Sequence, residues 1–221
     1  LFQQDYPTFI DNLSTLIKDD KVLKFLSSGL KDGKTMDDKF GLGRTAISCK
    51  DLKPTQSEVD ISKSLNFPLK DAATAEMCLK GENVLLGGTP IVTFNRGYVI
   101  DGHHRWSQAF CINPDAKMAS LNLTKANLSP IEALKSTQVA VATTIGDIPI
   151  ETVEGHNLFE APREIVVKFV LEHITDEVVQ VFVNLKGFKS KEQIAEYIWH
   201  NCEILQQNNV PIPNAPNRGL M

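Results

Sequence analysis

The chain has 221 residues, 42% of them hydrophobic and 23% charged, the balance of an ordinary folded protein and not of a disordered chain or a coiled coil. A net charge of -4 leaves no basic surplus for holding nucleic acid by phosphate neutralisation, and Lys31, Lys34, Lys39 and Arg44 are spread among Asp32, Asp37 and Asp38 without forming a track, so DNA is not supported as a partner. No apolar run reaches the ~20 residues of a membrane span and no charged-then-apolar leader opens the chain, so no membrane partner and a cytoplasmic location are expected.

In chain order, Phe9, Leu13, Leu16, Ile17, Val22, Leu23, Phe25 and Leu26 recur at helical spacing and predict a helix or helix pair over 6–30, closed by Gly29 and Gly33. Residues 31–43 are charged and glycine-rich and read as a connection. A short strand is expected over 45–52, a helix over 54–65 started by Pro54 and Thr55, and a second helix over 72–80 before Gly81. The β-rich runs 91–94 and 98–100, separated by Asn95-Arg96-Gly97, predict a hairpin in which Gly97 is available for positive φ. Its second strand leads straight into Asp101-Gly102-His103-His104-Arg105, after which Trp106, Ala109, Phe110 and Ile112 give a helical face that Asn113-Pro114 ends. A strand returns over 117–123, and Ser129-Pro130-Ile131-Glu132 has the form of a capping box. Beyond it 164–172 and 190–207 show helical periodicity, and 177–185 is β-branched enough to be read either way. The Pro- and Asn-rich stretch 211–221 is expected to be extended.

The expected fold class is therefore α+β, a small mixed sheet with helices plus helical additions at both ends. The chain divides into an N-terminal helical segment and connection (1–43), the mixed domain (44–128), a C-terminal helical region (129–210) and an extended tail (211–221).

The chemistry concentrates at the turn after the hairpin. A strand ending near Ile100, a glycine at the turn and a helix starting near His104 would leave the first helical amides without internal partners, at the positive end of the helix dipole, where an anion is favoured. Gly102 lets the backbone approach a ligand closely, Arg105 can lay a planar fork on phosphate oxygens, and His103 and His104 add donors. Substituting Gly102 by Val is expected to harm this site more than global stability. Asp101 has three uses open to it: holding Mg²⁺, orienting a histidine, or acting as general base toward a hydroxyl.

Other groups read as structural. Cys49, Cys78, Cys111 and Cys202 form no C-x-x-C pair and read as reduced, packed thiols. Trp106, Phe94 and Tyr98 read as core before a base-stacking platform. Gly87-Gly88-Thr89, which lacks a following Gly-Lys-Ser/Thr, reads as a loop before a second backbone approach to a nucleotide.

The block from Ile47 to Leu123, about a third of the chain, resembles the ParB/sulfiredoxin superfamily: an opening strand, a Pro-Thr-Gln element, two helices, a hairpin, then Gly-x-x-Arg at a helix start. Within that superfamily the Gly-x-x-Arg turn holds nucleotide phosphates, which implies Gly102, His103, His104 and Arg105 as the binding positions here, with ATP, ADP or CTP and Mg²⁺ as the implied cofactors. The string Asp-Gly-His-His-Arg looks most like the branch of ADP-dependent free-serine kinases and phage-encoded ParB-like proteins. That branch implies a location in a host cytoplasm or a virion if the chain is phage-encoded. Its catalytic glutamate has Glu58, in LKPTQSEVD, as the nearest counterpart, with Gln56 beside it. His103 stands where sulfiredoxins carry their catalytic cysteine, so sulfinic-acid reduction is not expected.

Three functions follow as expectations. The first is phosphoryl transfer or nucleotide hydrolysis, with Arg105 and the helix start stabilising phosphate charge, Asp101 as metal ligand, and Asp101 or Glu58 taking a proton. The second is a binding module switched by nucleotide, the third a virion structural or docking protein whose pocket is retained or decayed. The partners expected are a nucleotide or phosphorylated small molecule and, through the C-terminal helices and tail, other proteins.

Overall fold

The hairpin predicted over 91–100 lies within a five-stranded mixed sheet in the order β1-β5-β3-β4-β2. The structure, a computed structural model, describes residues 11, 12, 15, 41–124, 128–145 and 155–217. The helix expected over 6–30 and the connection over 31–40 lie outside these residues, apart from Asp11, Asn12 and Thr15, which are helical. Strand β1 (Gly41–Ser48) pairs antiparallel with β5 (Lys117–Thr124). Strand β3 (Ile91–Phe94) pairs parallel with β5 and antiparallel with β4 (Tyr98–Asp101), and β4 pairs parallel with the two-residue β2 (Lys53–Pro54). Seven helices among the described residues surround the sheet: α1 (Ile61–Lys70), α2 (Ala72–Lys80), α3 (His103–Ile112), α4 (Pro130–Ile145), α5 (Arg163–His173), α6 (Asp176–Lys186) and α7 (Lys191–Asn208). The α+β class expected from the sequence is the class observed. Among the described residues no helix is long and apolar enough to cross a membrane.

Alternation along the central strands sorts their side chains between two cores. Val92, Phe94, Tyr98 and Ile100 meet Leu123 and, from α4, Ala133 and Leu134 on one face. Ile91 and Val99 face the larger core on the other, shared with α1, α2, α3 and the C-terminal helices. Trp106 and Phe110 fill the middle of it, fully buried and edge to face at 5.5 Å, and the indole N–H donates to the carbonyl of Cys49 at 3.0 Å. Helix α7 closes the far end of α3: Asn201 donates to the Cys111 carbonyl at 2.8 Å and Tyr197 to that of Ile112 at 2.9 Å, satisfying acceptors that a helix C-terminus leaves open.

Several boundaries differ from expectation. Gly41, Leu42 and Gly43 open β1 instead of belonging to the connection, and the strand expected over 45–52 stops at Ser48, where Cys49–Asp51 makes a 3-10 turn. Pro54 does not start a helix. It lies in β2 at the sheet edge, a position that tolerates the missing N–H as well as a helix start does. The helix begins at Ile61, where the Asp60 carboxylate accepts from the Lys63 N–H at 3.1 Å. In the hairpin, Asn95 and Arg96 take the left-handed conformation (φ 49° and 58°) in place of Gly97, and Asn122 Oδ1 fixes the turn by accepting from the Arg96 N–H at 2.8 Å.

Other expectations match the observed elements. Helix α2 has the expected bounds and ends on Gly81 at φ 69°. Ser129 and Glu132 exchange backbone and side-chain hydrogen bonds as a capping box at the start of α4. The ambiguous run 177–185 is helical: Thr175 caps α6, Gly187 ends it, and Val178 and Phe182, four apart on one face, are its buried residues. The tail, expected to be extended, departs from that in a turn at Pro213–Asn214, where Asn214 has φ 63° and the Ala215 N–H reaches the Ile212 carbonyl at 3.1 Å. It lies along the edge beyond β2, the Ile212 N–H reaching the Pro54 carbonyl at 3.1 Å and the Ser57 N–H that of Pro216 at 2.9 Å.

Candidate functional site

Strand β4 ends on Asp101, and the chain turns into α3 through Gly102, the N-cap, at φ 89° and ψ 30°. Gly102 offers no side-chain cap, and the first helical bond runs from the Trp106 N–H to the Gly102 carbonyl at 2.9 Å. The amides of His103, His104 and Arg105 precede that bond, at the positive end of the helix. A Cβ on residue 102 would stand 2.7 Å from Ile91 Cγ2 and 2.9 Å from Arg105 Nη2. The turn therefore needs glycine twice over, for its backbone angle and for space.

Arg105 curls back across Gly102. Its Nη1 donates to the Thr89 carbonyl at 2.7 Å, the Thr89 hydroxyl at 2.6 Å and the Pro90 carbonyl at 3.2 Å, while Nη2 donates to Asp101 Oδ2 at 3.0 Å. The two sets of partners do different things. Neutral oxygens from the 89–90 loop orient the guanidinium and leave its charge uncancelled, whereas the Asp101 carboxylate offsets that charge. The Asp101 side chain is 53% exposed against 22% for Arg105, so this pair is only loosely held. Thr89 is the residue that sequence reasoning underrated: Gly87 and Gly88, both at positive φ, deliver it to the site, and the Gly-Gly-Thr string was the available signal.

The two histidines divide between inside and edge. His103 is buried at 4% exposure, and its Nε2 accepts from the Thr55 N–H at 3.2 Å, which puts the ring proton on Nδ1, toward the Val99 backbone. Burial first, and the adjacent His104 second, hold its pKa down to about 3, so the ring is neutral. His103, expected from the sequence to add a donor that is neutral or charged, is neutral here, and through Thr55 it pins the segment after β2 onto α3. His104 is half-buried, with Nε2 3.4 Å from the Asp60 N–H. Glu58 is half-buried on that same segment, and its carbonyl accepts from the buried Gln56 amide at 2.6 Å. Thr55 and Asp60 of that segment meet His103 and His104, with Glu58 between them in sequence, and Asp101 meets Arg105.

For Mg²⁺, the carboxylate on the turn itself is Asp101, whose partner is Arg105, while Asp60, whose N–H faces His104, has its carboxylate taken by the Ser62 hydroxyl and the Lys63 N–H. Among the described residues no three His, Cys, Asp or Glu side chains gather to hold a metal ion. The described residues thus bring no three-ligand cage together, and an ion at the turn would rest on Asp101 together with the oxygens of a bound phosphate. The four cysteines are free and buried, and burial pushes the Cys78 thiol up to about 12, so it is no nucleophile at neutral pH. An open groove of about 550 Å³ lined by Phe188, Glu192, Gln193, Glu196 and Tyr197 lies by the opposite end of α3, and its Glu196 pairs with Arg163. Compared with family models, curated proteins and solved structures, the chain finds no match in any of the three.

Proposed function

We propose that the Asp-Gly-His-His-Arg turn is an anion site for the phosphate of a nucleotide or another phosphorylated small molecule, in a ParB/sulfiredoxin-like domain that works by binding. The observation that carries this reading is the Arg105 guanidinium, held by the uncharged oxygens of Thr89 and Pro90 across an uncapped helix start. A phosphate entering there meets the first amides of α3 and takes the place of Asp101 on Nη2. Binding is favoured over phosphoryl transfer because the uncapped helix start and the oriented guanidinium are features that hold an anion, and in the unliganded turn Asp101 is bonded to Arg105.

Titration calorimetry with ATP, ADP and CTP, with EDTA present, tests the reading. Arg105→Ala is expected to weaken binding by about 1.5–3 kcal/mol, the range of a hydrogen bond to a charged group. Asp101→Asn removes the internal competitor and is expected to tighten it by up to about fivefold, since an exposed ion pair contributes roughly 0.2–1 kcal/mol. Equal affinities in the wild type and Arg105→Ala would refute the site. No binding of any of the three nucleotides would favour the structural, docking role instead.

A further inference from the structure

We infer that Cys111 and Cys202 are a latent disulfide pair which, once oxidised, ties the helix carrying the Asp-Gly-His-His-Arg turn to the last helix, α7. The four cysteines come from four separate elements, the 3-10 turn after β1, α2, α3 and α7, and Cys111 lies within electrostatic reach of the other three. Cys111 and Cys202 are in contact, Sγ to Sγ, at 3.6 Å. A disulfide needs about 2.05 Å, so the sulfurs must close by roughly 1.5 Å, within reach of side-chain rotation. Their backbones are held in register by the bonds beside them, from Asn201 to the Cys111 carbonyl and from Tyr197 to the Ile112 carbonyl. A metal does not account for the cluster, since no three ligating groups converge among the described residues.

Both side chains are fully buried, so the reaction waits on local opening of α7. The oxidant is a small peroxide. On opening, one thiolate attacks a peroxide oxygen, breaking the O–O bond and giving a sulfenic acid as hydroxide leaves and takes up a proton to become water. The second thiol, giving up its proton, then attacks that sulfur and expels hydroxide, which leaves as a second water. Two thiols and one hydrogen peroxide become one disulfide and two waters, the thiols losing two electrons and two protons in all. The bond closes a loop spanning 91 positions and restrains the unfolded chain accordingly.

The test is peroxide treatment of the full chain, followed by thiol counting, intact mass and peptide mapping under non-reducing conditions. The expected result is a fall from four free thiols to two, loss of two hydrogens per chain, a cross-linked peptide joining Cys111 to Cys202 and a raised melting temperature. Mapping is done on the wild type, so it does not depend on a variant that folds. Cys49→Ser and Cys78→Ser are expected to keep the cross-link, and mild urea below the unfolding transition to speed its formation. Four surviving thiols, a Cys49–Cys78 link, a sulfinic acid without cross-link, or a link formed only in fully unfolded protein would each overturn the inference.

Discussion

Lowering the pH from 7 to 5 is expected to destabilise the fold by about 2 kcal/mol through His103 alone. In the unfolded chain this imidazole takes up a proton near pH 6.5, the ordinary value of a histidine. In the folded protein, burial and then the neighbouring His104 hold that event down to about 3. Between the two values the unfolded state carries the additional proton, so stability falls with falling pH by about 1.4 kcal/mol per unit and levels off below about 3. The contribution is absent above pH 6.5, where both states are neutral. Urea midpoints at pH 7, 6 and 5 measure the slope, and His103→Gln is the control, since a side-chain carbonyl can accept from the Thr55 N–H without titrating. Wild type and His103→Gln falling in parallel over this window would show that His103 is not the buried, neutral ring described.

Substituting Gly102 by Val is expected to damage fold and site together. At φ 89° a β-branched residue is a true outlier, and such a residue stores on the order of 1–3 kcal/mol. The new Cβ would also meet Ile91 Cγ2 at 2.7 Å, and Ile91 is fully buried in the larger core, so overpacking adds roughly 1–3 kcal/mol. The same atom displaces Arg105, whose Nη2 stands 2.9 Å away. Sequence reasoning placed the damage mainly at the site. The contact with Ile91 changes that, because residue 102 touches the core and the guanidinium at once. Thermal melting should fall sharply, and Gly102→Ala, with the same Cβ but no branch, should fall less. A Gly102→Val variant with wild-type melting temperature would contradict the geometry of the turn.

Local rules made much of this protein legible. The bounds of α2, the hairpin over 91–101, the capping box at Ser129 and the strand-glycine-helix passage at Gly102 each depend on residues within a few positions of one another. Pro54 misled because the property that suits it to a helix start, a missing N–H, suits it equally to an edge strand, and pairing with β4 is the deciding contact. The run 177–185 was ambiguous for a related reason: β-branched residues permit strand or helix, and burial of Val178 and Phe182 against the core selected the helix.

The site shows the same division. The sequence by itself determined that a glycine turn into a helix, with an arginine in its first turn, follows a strand, because those requirements are set by backbone angles and helix ends. Only the tertiary structure decided that His103 faces inward to Thr55, 48 positions earlier, while His104 stands at the Asp60 backbone, because adjacent helical residues point about 100° apart and the packing partner chooses between them. The clamp of Arg105 by Thr89, 16 positions away, and the meeting of Cys111 with Cys202, 91 positions away, were likewise decided there. Such contacts are made when separate elements bury their faces in one core, and no local spacing encodes them.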